Sequence, residues 1–201
     1  TVSLMFNDGN GVFTAGTTTN VTTSGLRGIS TADIDADQDL DLVVTIPANG
    51  EVAILLNQGD GTFTVGEIVN SGGSQPRSVV LDDFDVDGYA DIAVANFGSS
   101  RVSLMLNRGD GTFTATVPFA AGSQPSSLTA GDFDNDHAID LAVVNQDAGT
   151  VSILLNTRDV VPTIGGLDHG SGLTFVVDTT ADTVDANPGD GIAADANGDV
   201  S

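Results

Sequence analysis

A repeat of fixed length constrains the fold of this chain more than any other feature of its 201 residues. Similar segments start at residues 2, 52, 102 and 151: VSLMFNDGNGVFT (2–14), VAILLNQGDGTFT (52–64), VSLMLNRGDGTFT (102–114) and VSILLNTRD (151–159). Three aspartate-rich segments lie between them: DIDADQDLDLVV (33–44), DFDVDGYADIAV (83–94) and DFDNDHAIDLAV (132–143). A shared period of 49 to 50 residues is typical of stacked structural units, each built from a few strands or helices.

Each unit predicts four short strands. In the second unit these are SVVLDDF (78–84), DIAVAN (91–96), RVSLMLN (101–107) and TFTATVPF (112–119). Apolar residues occupy both faces of the strands, as at Leu104 and Met105, which favours sheets packed between other sheets. Four-stranded units of this period are typical of β-propeller blades, so the predicted fold is all-β, with about three and a half blades of four antiparallel strands. An irregular β-containing C-terminal tail would follow, and an enclosed β-sandwich is the alternative fold.

The composition limits the partners and the chemistry. The chain has 28 acidic and 5 basic residues, a formal net charge of −23 that argues against nucleic acid and anionic lipid as partners. Only Glu51 and Glu67 are glutamates, and short aspartate side chains suit turns and oxygen cages for hard cations. A halophile-type acidic surface is the alternative reading. Cysteine is absent, which excludes disulfides and thiolate metal sites, and no apolar run is long enough to cross a bilayer.

The three acidic segments contain nine-residue loops with alternating aspartates, which we call acidic loops 1 (33–41), 2 (83–91) and 3 (132–140). Aspartates at positions one, three and five place three carboxylates on the inside of a tight turn, where they repel one another unless a cation or protons neutralise them. Calcium prefers such oxygen ligands, so the loops predict three calcium sites, with acidic turns that bind no metal as the alternative. The predicted carboxylate ligands are Asp33, Asp35, Asp37, Asp83, Asp85, Asp87, Asp132, Asp134 and Asp136.

The order of strand, DxDxDGxxD-like loop, two strands and GDGTF-type turn resembles the FG-GAP/VCBS repeat family, which includes the blades of integrin-type propellers. The resemblance covers residues 1–157. It implies two further ligands in each loop, a backbone carbonyl at position seven and an aspartate at position nine. These are the carbonyls of Asp39, Tyr89 and Ala138, and the side chains of Asp41, Asp91 and Asp140. Gly88 matches the family at position six, whereas Gln38 and His137 depart from it, so we expect weaker binding in acidic loops 1 and 3.

The period divides the chain into a partial blade and three further blades, followed by a region where the repeat fails. The predicted limits are 1–25, 26–75, 76–125 and 126–157, with a linker at 158–172 and a tail at 173–201. The fourth strand of the last blade is expected to be irregular. The tail resembles the start of a CSLREA-type domain, and its segment 173–180 predicts a pairing strand, a candidate for donation to another copy. Asp195, Asn197 and Asp199 form a candidate fourth ion site.

Other motifs favour structural roles. Arg108-Gly109-Asp110 spells an integrin-recognition tripeptide, but it occupies a turn that recurs as Asp8-Gly9-Asn10 and Gln58-Gly59-Asp60. Asn20 begins a glycosylation sequon, and neither His137 nor His169 has a nucleophile partner in its sequence context. A catalytic carboxylate pair is normally unique, whereas these acidic sets recur three times, so the chain is predicted not to be an enzyme.

Together these features predict an extracellular or cell-surface, calcium-stabilised structural or adhesion module. Its expected partners are its own copies, in an oligomer or polymer, and other surface proteins or glycans. Two copies would complete a ring of about seven blades, while head-to-tail association that does not close would give a filament. The alternative is the non-catalytic propeller of a larger secreted carbohydrate-active enzyme or glycan-binding protein, and a catalytic site within the chain is a third reading.

Overall fold

The computed structural model describes residues 1–22, 25–158 and 173–178, which form β-strands, connecting turns and one 3₁₀ turn at Phe97–Ser99. The strands are β1 (Val2–Asn7), β2 (Phe13–Thr19), β3 (Ile29–Ala32), β4 (Asp41–Ile46), β5 (Glu51–Asn57), β6 (Phe63–Asn70), β7 (Pro76–Asp82), β8 (Asp91–Asn96), β9 (Arg101–Met105), β10 (Val117–Ala120), β11 (Pro125–Gly131), β12 (Asp140–Asn145), β13 (Thr150–Arg158) and β14 (Leu173–Asp178). No helix among these described residues has the length and apolar character needed to cross a membrane.

The strands form four antiparallel sheets in which neighbours in sequence are neighbours in space. A partial sheet contains β1 and β2, and the first, second and third sheets contain β3–β6, β7–β10 and β11–β14. Each four-stranded sheet is a simple antiparallel meander. The prediction of an all-β fold built from four-stranded antiparallel blades is confirmed.

Three apolar clusters lie between successive sheets, because the strands are apolar on both faces. On β8, Ile92 and Val94 pack toward the first sheet, while Ala93 and Ala95 pack toward the third. All four of these side chains are fully buried. A third cluster around Val44 and Leu55 joins the first sheet to the partial sheet. Burial of both faces of the central strands is therefore what holds the sheets in a stack.

The sheets approach one another most closely along their first strands. Both β3 and β11 pack against β7, whereas contact between outer strands is sparser, as between β2 and β6. A Cβ atom at Gly28 would lie only 2.8 Å from the backbone oxygen of Arg77, so glycine is needed where these inner segments meet. Sheets that touch at their first strands and diverge outward have the arrangement of propeller blades.

The third sheet takes its fourth strand from the tail of the chain. Strand β14 pairs with β13 in an antiparallel register that runs from Ile153 opposite Asp178 to Arg158 opposite Leu173. The sequence suggested an irregular fourth strand and a segment 173–180 available for donation, whereas the structure pairs 173–178 with its own chain. An exposed edge on β13 offers unpaired backbone groups, which this strand satisfies. Of the predicted linker 158–172, Arg158 belongs to β13. Residues 159–172 with His169, and the candidate ion site at Asp195, Asn197 and Asp199, lie outside the described residues.

Candidate metal-binding loops

Each acidic loop connects the first and second strands of a four-stranded sheet, and all three loops follow the same backbone path. Positions four and six adopt the left-handed conformation in every loop: Ala36 (φ 62°), Gln38 (φ 76°), Val86 (φ 58°), Gly88 (φ 95°), Asn135 (φ 64°) and His137 (φ 70°). This conformation is unfavourable for most side chains and costs roughly 1–2 kcal/mol per residue. The loops therefore keep one shape although their sequences differ at these positions.

The carboxylates converge within each loop. One oxygen from each of three aspartates lies within 4.8 Å of the other two, in the sets Asp33–Asp35–Asp41, Asp83–Asp85–Asp91 and Asp132–Asp134–Asp136. In acidic loops 1 and 2 one aspartate of the set is buried and the other two are half-buried, whereas the set in acidic loop 3 is exposed. Of the predicted carboxylates, Asp37, Asp87 and Asp140 lie outside these sets. The carbonyls of Asp39, Tyr89 and Ala138 stay predicted ligands.

The aspartate at position one closes each loop. Its Oδ2 accepts a hydrogen bond from the backbone N–H of position six, over 3.0 Å from Gln38 to Asp33, 2.9 Å from Gly88 to Asp83 and 3.1 Å from His137 to Asp132. In acidic loop 1, Asp33 Oδ1 and Asp35 Oδ1 are buried with no hydrogen-bond partner. Buried carboxylate oxygens without donors are costly, and a bound cation would satisfy both of them.

The aspartate at position nine ties its loop to the third strand of the same sheet. In acidic loop 2, Asp91 is fully buried, and it accepts the N–H of Phe84 over 3.0 Å and the N–H of Asn107 over 2.8 Å. Asp41 and Asp140 are equally buried and accept the two equivalent N–H groups in their own sheets. These side chains therefore stabilise the blade whether or not an ion is bound.

Burial also changes the acidity of these groups. It raises the pKa of Asp91 to about 7, and the nearby charge of Asp85 acts in the same direction, although the hydrogen bonds from Asn107 and Phe84 oppose it. Burial likewise raises the pKa of Asp35, Asp41 and Asp85. In acidic loops 1 and 2, negative charge is thus crowded and poorly solvated, which is the environment that favours a cation.

Sequence reasoning missed an asparagine that links acidic loops 2 and 3 to the preceding sheet. Asn107, just after β9, donates from Nδ2 to the Ala90 carbonyl of its own loop over 3.1 Å and to the Ile34 carbonyl of acidic loop 1 over 2.8 Å. Asn156 makes the same pair of bonds to Ile139 and to Phe84 of acidic loop 2, over 3.2 and 2.9 Å. The sequence feature that could have revealed this role is an asparagine that recurs at 7, 57, 107 and 156, before each tight turn.

We expect Asn107→Ala to lower the free energy of unfolding by about 1–3 kcal/mol more than Asn57→Ala, because only the first change leaves the buried Ile34 carbonyl without its donor. Asn57 is the matched control: it occupies the equivalent turn, and its described side-chain donor bond stays in its own loop, to the Leu40 carbonyl over 3.1 Å. Urea unfolding followed by circular dichroism measures both losses. Equal losses would mean that the bond between sheets contributes nothing.

Relief of backbone strain should stabilise acidic loop 3. His137 has φ 70°, and its side chain is 95% exposed and makes only a weak contact with Asp132, over 3.9 Å. His137→Gly should therefore raise the free energy of unfolding by roughly 1 kcal/mol, because the relief of strain exceeds the loss of that contact. Gly88→Ala tests the opposite change, because φ is 95° at Gly88 and an added Cβ would contact no atom within 4 Å. It should destabilise by a similar amount. Thermal unfolding of both variants checks the pair of opposite shifts, and shifts of the same sign would refute the strain argument.

The Arg108-Gly109-Asp110 tripeptide is engaged within its own turn. The Arg108 side chain donates to the Phe113 carbonyl. Asp110 accepts the N–H of Thr112 over 3.0 Å and its hydroxyl over 2.6 Å. Both charged side chains therefore stabilise the turn.

The comparisons with known proteins address the family and the fold. A family model described as FG-GAP-like repeat matches residues 33–94 and 83–143, which is more than half of the chain. A solved structure, described as a functionally unknown protein from Desulfotomaculum acetoxidans DSM 771, is similar with a TM-score of 0.51 and 15% sequence identity. The alignment covers 76% of this chain and 48% of that one, so this chain spans about half the length of its structural neighbour and shares its fold. No curated protein matches the sequence.

Proposed function

The chain belongs to the FG-GAP-like repeat family, and on that basis we propose that it is an extracellular, non-enzymatic β-propeller module, stabilised by calcium, that works through protein contacts including contacts with its own copies. The observation that supports the proposal best is the acidic loop itself. It recurs once per four-stranded sheet with the same backbone path, and three carboxylate oxygens converge in each copy.

The chemistry of the loops suits calcium. Every candidate donor is an oxygen, which favours a hard cation over zinc or copper. Asp33 and Asp35 each offer a buried oxygen without a donor, and Asp83, Asp85 and Asp91 form the equivalent set in acidic loop 2. A bound ion would supply positive charge that offsets the repulsion between these carboxylates. Modules outside cells bind calcium with dissociation constants of about 10⁻⁴–10⁻³ M, which matches the calcium available there rather than in the cytoplasm.

The hydrogen bonds of the acidic loops favour a structural role. Both oxygens of Asp41, Asp91 and Asp140 accept backbone N–H groups of their own sheets, so these side chains hold the loop and the strands together. Asn107 and Asn156 then connect acidic loops 2 and 3 to the sheet that precedes each of them. An ion in such a loop would fix the angle between neighbouring sheets.

The two end faces of the stack support self-association. Met5 on the partial sheet is 62% exposed, whereas its counterparts one and two periods later, Leu55 and Met105, are 0% and 1% exposed. Val151 on the third sheet is 63% exposed, whereas its counterpart Val102 is fully buried. Residues whose counterparts are buried between sheets are therefore exposed on the two outer faces of the stack. A second copy of the chain would bury them in the same way that neighbouring sheets bury their counterparts within one chain.

Two charge variants test head-to-tail association. Met5→Lys and Val151→Lys should each leave the protein folded, because both side chains are exposed, and each should block assembly through one face. An equimolar mixture should form a dimer through the two unmodified faces, while neither variant alone should associate. Sedimentation velocity with calcium and with a chelator measures all the states. A wild-type protein that stays monomeric at high concentration, or a mixture that does not pair, would reject self-assembly.

A further inference from the structure

Two of the five arginines lie together at the end of the sheets away from the acidic loops. Arg27 and Arg77 line an open pocket of about 310 Å³ together with Pro47, Ala48 and Gln75. Arg77 is the second residue of β7, and acidic loop 2 begins after the last residue of that strand, roughly 20 Å away at about 3.3 Å per residue. The pocket is therefore separate from the proposed calcium sites.

The backbone holds the two arginines side by side. Arg27 precedes Gly28, whose missing Cβ would lie 2.8 Å from the backbone oxygen of Arg77, so the two inner segments touch at these residues. Burial, and secondly the positive charge of Arg27, lower the pKa of Arg77. Among the described residues, the ion pairs include neither arginine, although the chain carries a net charge of −23. Two like charges without an acidic partner, in a protein this rich in carboxylates, indicate a place for an external anion.

The Arg77 side chain is fixed in position. Its guanidinium carbon lies 3.1 Å from the centroid of the Phe97 ring, and Nη1 donates to Gln146 Oε1 over 2.9 Å. A guanidinium has five N–H donors in a planar fork, so this arrangement orients the group and leaves donors for a ligand. An arginine held in place loses less conformational freedom on binding than a mobile surface arginine.

We propose that this pocket binds a small oxyanion, a carboxylate or phosphate group held between Arg27 and Arg77. Arginine pairs with such planar or tetrahedral oxyanions through charge-assisted hydrogen bonds. The volume is at the lower end of the range for small-molecule sites and admits a group the size of a monosaccharide. The surrounding negative charge disfavours long polyanions such as nucleic acid, which restricts the ligand to a small anion or to a single acidic group on a larger molecule.

Titration by isothermal calorimetry and by NMR tests the pocket with sodium glucuronate, glucose and inorganic phosphate at constant ionic strength. We expect glucuronate or phosphate to bind with a dissociation constant on the order of 1 mM, and glucose not to bind. Arg27→Ser and Arg77→Ser should each weaken binding by about tenfold or more. Serine is the natural residue at the corresponding position of the third sheet, Ser126. Arg101→Ser, an exposed arginine outside the pocket, is the control that removes the same charge and should bind as the wild type does.

The outcomes separate the sources of the anion. Binding of glucuronate alone assigns an acidic sugar, and binding of phosphate alone assigns a phosphate group. Arg77 also contacts Phe97 and Gln146, so Arg27→Ser, whose side chain is exposed, keeps the test valid if Arg77→Ser destabilises the fold. Absence of binding by both anions, equal binding of glucose, or equal weakening by Arg101→Ser would overturn the proposal.

Discussion

Removal of calcium is expected to lower the free energy of unfolding by about 4 kcal/mol, since each of three sites contributes ~1.4 kcal/mol when free calcium is tenfold above its dissociation constant. A domain of this size has a total stability of only about 5–15 kcal/mol, so the loss is a large share of it. The melting temperature should fall by roughly 8–16 °C in a chelator. Thermal and urea unfolding in calcium and in EGTA measure the change.

Magnesium is the control for that experiment. It is smaller than calcium and demands a nearly regular octahedral shell, so the same concentration of magnesium should restore little of the lost stability. Full recovery with magnesium would indicate general charge screening of a chain with a net charge of −23 rather than a selective site. Unfolding curves that coincide in calcium and in EGTA would contradict a stabilising role for the ion.

Asp91→Ala is expected to lower the free energy of unfolding by about 3–5 kcal/mol even in EGTA. The side chain is fully buried and accepts the N–H groups of Phe84 and Asn107, so its removal leaves two buried donors unpaired and opens a small cavity. Urea unfolding of the variant in EGTA isolates this loss from any loss of ion binding. In calcium the loss should be larger, because the carboxylate set of acidic loop 2 also loses a member.

Glu67→Ala is the matched control for Asp91→Ala. It removes the same charge from an exposed position on β6, and it should change the stability by less than about 0.5 kcal/mol. If both variants lost the same small amount, Asp91 would not connect its loop to the third strand in the way that its hydrogen bonds indicate.

The central strands of the sheets could be predicted from the sequence, because a strand buried on both faces is a short continuous run of apolar residues. The segment 91–96 reads Asp-Ile-Ala-Val-Ala-Asn, and β8 occupies those six residues with apolar side chains on both sides. The fourth strand was harder to place: 112–119 was predicted, whereas β10 is Val117–Ala120, with one isolated bridge from Asn107 to Phe113 before it. The threonines at alternate positions of this segment favour extended backbone whether or not the segment is paired. The position of the partner strand decides where pairing resumes.

The acidic loops were also visible in the sequence, but the roles within them were not. Alternating aspartates predict converging carboxylates, and Asp33 and Asp35 do converge. The double hydrogen bond at Asp91 depends on Asn107, which lies 16 residues later and just after β9, and the bond from Asn107 to Ile34 spans 73 residues. Such contacts depend on how sheets stack, which periodicity alone does not specify. Arg27 and Arg77 lie one period apart, so their meeting on adjacent inner segments could have been read from the repeat.

Native mass spectrometry of the intact protein counts the calcium ions bound by each chain. We expect up to three calcium ions per chain at millimolar calcium, with acidic loop 2 the last to lose its ion on dilution, and one ion fewer in Asp85→Ala. A wild-type spectrum with no bound calcium, or an Asp85→Ala variant that binds as many ions as the wild type, would contradict this expectation.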